Sequence, residues 1–235
     1  MAVLCREGVV LCADKGGILD NVGPLKDQDK LFDLGNNAHL AACGSIKVVN
    51  PRNYSEEWFN AITITQDYFA ERQFTNDDAF WEGLKNEIAE EFDDYLDDSD
   101  DKQEINFQLV FFCLDHENKI RHKKLTFKYD GQSEAAIEIN QMWFKGLYGA
   151  FGCSQIAYEL LKGEKRLATL AKHSSIKPFI NKANTPDNIS LNQALAFIKK
   201  ILDASSQLIP CRGHVSPNFD YVVLKGAFQF IQLNE

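Results

Sequence analysis

The spacing of apolar residues changes repeatedly along this chain, and each change marks a switch of secondary structure. Short apolar runs at Ala2–Cys5 and Val9–Ala13 flank Arg6-Glu7-Gly8, and apolar, turn, apolar with β-branched residues is what a tight hairpin requires. After a polar loop with Gly16, Gly17, Gly23 and Pro24, a second hairpin follows. Its strands are Lys30–Leu34 and His39–Gly44, joined at Asn36-Asn37. The rhythm then shifts to steps of three and four, through Trp58, Ile62, Ile64 to Tyr68, and then Phe80, Leu84, Ile88 and Phe92. This predicts helices over 55–71 and 77–95, the second capped by side-chain oxygens of Thr75 and Asn76 ahead of Asp77-Asp78. Strands resume at 105–114, 119–129, 135–139 and 142–148. Helices return at 153–161, 167–173 and 191–206, and the last hairpin, 219–224 with 227–233, turns at Lys225-Gly226.

Strands and helices therefore come in blocks, without the regular alternation of a doubly wound parallel sheet. The expected class is α+β, with two antiparallel sheets and helices outside them. No internal repeat and no linker rich in Pro, Gly or Ser breaks the sequence, so residues 1–235 are expected to form one domain.

Charge and composition narrow the function. Twenty-five basic against 34 acidic side chains leave a net charge of −9, which repels phosphate backbones and argues against nucleic acid as a partner. No apolar run approaches the roughly 18 residues of a membrane helix, and the start shows no secretory leader. Six cysteines without a CxxC pair read as reduced core thiols, which points to the cytoplasm. The acidic run Glu90–Asp101 lacks the central glycine of a calcium loop and reads as a solvated helix end; no metal is expected. His116 and His122 lie among Lys119, Arg121, Lys123 and Lys124 and are expected to be exposed strand residues. Cys211 and His214 are too weak a pattern for a thiol and its base, and the aromatics Trp143-Phe144 and Phe228 to Ile231 read as core. No phosphate-cradling glycine loop is present, so neither ATP nor another cofactor is expected.

One constellation stands apart. Asp14, at the end of Gly8-Val9-Val10-Leu11-Cys12-Ala13-Asp14, is followed sixteen positions later by Lys30, in Gln28-Asp29-Lys30-Leu31-Phe32-Asp33-Leu34. Fourteen further on comes Gly44, closing Leu40-Ala41-Ala42-Cys43-Gly44. Alone, the acid and the lysine are an ordinary turn residue and a solvated cation, and the glycine a strand end needing positive φ. Their joint spacing resembles the opening of a proteasome-type subunit of the N-terminal-nucleophile (Ntn) hydrolases, and the layout of the remaining chain agrees. The resemblance implies a four-layer αββα sandwich and threonine-type peptide-bond hydrolysis. In such chemistry an N-terminal hydroxyl attacks while its own α-amine takes the proton. Lys30 would supply the positive charge that favours the attacking group, Asp14 would hold that ammonium, and the Gly44 amide would stabilise the oxyanion. Ser154, in Gly152-Cys153-Ser154, and Ser216 are the nearest counterparts of the family's supporting serines.

The family's nucleophile falls sixteen positions before Asp14, three residues upstream of Met1, and no Thr or Ser occurs before Ser45. Three readings stay open. The first is a peptidase whose mature start differs from the sequence shown, and the second a non-catalytic subunit of a proteasome-like assembly. The third is an Ntn amidase acting on a small amide. The resemblance further implies a homo-oligomer, ring or dimer, with a peptide or protein substrate.

Overall fold

The computed structural model describes residues 1–19, 23–25, 28–50, 53–98, 103–142, 144–149, 159, 167–181, 183–207 and 215–228. In chain order these form strands β1 (Ala2–Cys5), β2 (Gly8–Asp14), β3 (Gly17–Leu19), β4 (Gly23–Leu25), β5 (Leu31–Gly35), β6 (Ala38–Gly44), β7 (Lys47–Asn50) and β8 (Asn53–Asn60). Helices α1 (Ala61–Glu71) and α2 (Asp78–Asp98) follow. Next come β9 (Ile105–Leu114), β10 (Lys119–Tyr129), β11 (Ala136–Asn140), β12 (Phe144–Lys145) and β13 (Tyr148–Gly149). After them stand α3 (Ala168–Ala171), α4 (Lys177–Ile180), α5 (Leu191–Ser206), β14 (Phe219–Leu224) and β15 (Ala227–Phe228). The class is α+β with antiparallel sheets. The chain divides into two compact units, Met1–Leu31 with Trp143–Glu235, and Phe32–Met142.

In the first unit the strand order is β12-β13-β1-β2-β14. Ala2 faces Leu11 and Val3 faces Val10 across the first hairpin, and Phe219 faces Asp14 on the other side of β2. Five consecutive residues of β2, Val9 to Ala13, are buried, so this strand is covered on both faces. Helix α5 packs on β1 and β2. Ser190 opens it with a capping box, its hydroxyl accepting from the Gln193 amide while the Gln193 side chain accepts from the Ser190 amide. Its buried face carries Ala194, Phe197, Ile198, Ile201 and Leu202, and Phe197 stacks on Phe179 at 4.2 Å between ring centroids. Expected as one strand, 142–148 instead holds the short pair β12 and β13. Of the segment 227–233 only β15 lies in the described residues, and the expected helix 153–161 lies almost wholly outside them, as do Trp143, Cys211 and His214. The polar loop after Asp14 contains the small pair β3–β4.

In the second unit the order is β11-β10-β9-β6-β5. Asn36 and Asn37 both take positive φ (51° and 59°), which fits the two-residue turn expected there. Helices α1 and α2 pack against each other, and one core joins them to the sheet through Phe59, Phe92, Phe107 and Phe127. Phe107 and Phe127 stack at 4.6 Å, and Phe92 meets Phe127 edge-on at 4.7 Å.

Three expectations fail here. The first helix was expected from residue 55, but 53–60 is strand β8, paired with β7, and the helix starts at Ala61. The Asn60 side chain caps it, accepting from the amides of Ile62 and Thr63. The second helix is capped by Asp77, whose Oδ1 accepts from the Phe80 amide at 2.8 Å, rather than by Thr75 or Asn76. His122 is also not exposed. It is 7% accessible, against the ring of Phe112 at 5.7 Å, and burial together with the Lys123 charge pushes its pKa down to about 4. His116 is exposed, in the turn between β9 and β10.

Candidate functional site

Asp14 ends β2, where the ladder to β14 stops and the backbone turns into Lys15 and Gly16. The Asp-x-Gly order closes an Asx turn, with the Gly16 amide donating to Asp14 Oδ2 at 2.9 Å. Lys30 reaches back from the segment before β5. Its Nζ stands 3.3 Å from Oδ1 and 3.2 Å from Oδ2, so the ammonium bridges the two carboxylate oxygens. The side chains of Lys30 and Asp14 are only 16% and 17% exposed, so this pair sits well out of bulk solvent.

A third segment joins them from far along the chain. The Ser216 amide donates to Asp14 Oδ2 at 3.1 Å, and its hydroxyl accepts from the Asn218 amide at 3.1 Å. Lys15 ties the same segments through its backbone, donating to the Asn218 carbonyl and accepting from the Gln28 amide, both at 3.0 Å. Its ammonium pairs with Asp220 at 3.0 Å. One carboxylate thus collects two backbone amides and an ammonium, where the end of β2, residues 28–30 and residues 215–220 meet.

Of the residues singled out in the sequence, Asp14, Lys30 and Ser216 come together in the first unit. Ser216 takes part through its amide, and its hydroxyl serves its own turn. Ser154 lies outside the described residues. Gly44 belongs to the second unit and ends β6. Its φ is +94°, and a Cβ built there would stand 2.2 Å from the Asn106 carbonyl oxygen of β9 and 2.8 Å from Phe107 Cα. Only glycine fits that close backbone approach. Lys15, Gly16 and Asp220 were not singled out. The Asp14-x-Gly16 signature was visible, whereas the Lys15–Asp220 pair is made by chain reversal and leaves no local signal.

Cys12, two residues before Asp14 on β2, is fully buried, and Cys5 and Cys113 are buried elsewhere in the chain; burial is the leading cause raising the pKa of each. The Met1 backbone nitrogen donates to the Cys12 carbonyl at 2.8 Å, and the Cys12 amide donates to the Met1 carbonyl, so the first hairpin's ladder continues to Met1. Among the described residues no three His, Cys, Asp or Glu side chains converge as a metal site needs, and no helix is long and apolar enough to cross a membrane. No protein-family model matches the chain, and no curated protein matches it.

Proposed function

We propose that this chain is a proteasome-type member of the Ntn hydrolases, with the four-layer αββα sandwich, working in proteolysis by attack of an N-terminal hydroxyl on a peptide bond. The observation that carries this reading is the shielded Asp14–Lys30 pair at the end of the second strand, formed by two residues whose spacing with Gly44 suggested it. Strands buried on both faces, such as β2, are in keeping with a layered sandwich. In the proposed reaction the nucleophile lies upstream of Met1. The register of Ala2 opposite Leu11 and Val3 opposite Val10 would carry such residues past Ala13 and Asp14, toward the Lys30 ammonium. That ammonium favours the deprotonated nucleophile.

A second reading has its own support. Asp14 Oδ2 already accepts from Gly16 and Ser216, so the pair also suits a structural tie in a subunit that assembles without cutting. The intact mass of the protein from its native source, read beside peptide-amide hydrolysis by wild type and Lys30→Ala, separates the two. A start at an upstream Thr, Ser or Cys, with hydrolysis lowered at least about a hundredfold in Lys30→Ala, is the expected result. A start at Met1 or Ala2 with no hydrolysis selects the non-cutting subunit, and hydrolysis that Lys30→Ala leaves unchanged overturns the catalytic assignment.

A further inference from the structure

We draw no further inference here: the strongest candidate, β14 with its exposed Tyr221, which among the described residues ends the first unit's sheet, presents backbone suited to strand pairing, but nothing in the structure shows what covers it.

Discussion

Removing the Asp14 carboxylate asks whether a single side chain holds three chain segments together. In Asp14→Ala the amides of Gly16 and Ser216 lose their acceptor and the Lys30 ammonium loses the Asp14 charge. A polar group left dry costs about 1–3 kcal/mol, and breaking a fully buried ion pair from one side costs about 3–5 kcal/mol. Here both side chains keep about a sixth of their surface in water (16% and 17%), so solvent recovers part of each term. A total of about 2–4 kcal/mol follows. Asp14→Asn keeps one oxygen for the amides but loses the charge and the Oδ1 acceptor that faces Lys30, for about 1–2 kcal/mol, and Lys30→Met leaves the carboxylate with both amides, for about 1 kcal/mol.

Urea unfolding, with midpoint and slope fitted separately, reads these differences. The expected order of destabilisation is Asp14→Ala, then Asp14→Asn, then Lys30→Met. A double-mutant cycle with Lys30→Met should show a coupling of at least about 0.5 kcal/mol. If Asp14→Ala unfolds within about 0.5 kcal/mol of wild type, or costs less than Lys30→Met, the carboxylate is not the junction's organiser.

Two other outcomes follow from the same geometry. Gly44→Ala should cost well over about 2 kcal/mol, because positive φ alone costs about 1–2 kcal/mol and the new Cβ meets backbone at 2.2 Å; Gly35→Ala (φ +77°, nothing within 4 Å) should show the φ cost alone. Equal losses in thermal unfolding would mean that the approach to Asn106 imposes nothing. His122 prefers its neutral form when folded, with a pKa of about 4 against 6.5 unfolded. Stability should therefore fall as pH drops through that window, by up to about 3 kcal/mol, and level off below it. His39, also depressed by burial, adds to the same slope, whereas Asp130, held down to about 2 by Ser133, acts only at lower pH. A His122→Phe variant that keeps the full slope between pH 6.5 and about 4 would refute the assignment.

How far the sequence was legible depended on how local each determinant was. The first two hairpins could be read because turn and strands adjoin, and Asn36-Asn37 names its own geometry. β8 could not, because its partner β7 is set by pairing, while Trp58 and Ile62 mimic a helical step across the strand's end. Asn60 was the missed signal, a capping side chain just before the apolar run. The burial of His122 is not legible locally, because its neighbours in sequence are not its neighbours in space. Alternation along β10 sends Arg121 and Lys123 to the opposite face of the strand, while His122 lies across from Phe112. At the site, the contact between Asp14 and Lys30 was anticipated only through the family resemblance, since alone they read as an ordinary turn acid and a solvated lysine. The Ser216 amide was not, because it arrives from 202 residues away and a backbone donor has no residue-type signature.

The occupancy of the Asp14 oxygens limits what chemistry this junction supplies. A carboxylate that already receives an ammonium and two amides has most of its lone pairs engaged and holds Lys30 in place. In the proposed hydrolysis the attacking group and its proton acceptor would come from elsewhere, and an N-terminal residue would bring both. In the register of the first hairpin, a threonine three residues ahead of Met1 would lie across from Lys15, beside Asp14. A chain extended in that way, released from a cleavable fusion so that the threonine amine is free, should hydrolyse peptide amides. It should also bind an electrophilic peptide at its first residue, while the same extension beginning with alanine does neither. Under the proposed hydrolysis, Lys30→Ala in the extended chain should abolish the adduct while leaving a folded protein, since there the ammonium would act on the nucleophile while contributing only about 1 kcal/mol to stability. If the threonine-bearing chain, its start verified by intact mass, shows neither adduct nor hydrolysis above the alanine control, the Asp14–Lys30 pair is a structural tie and the hydrolase reading falls.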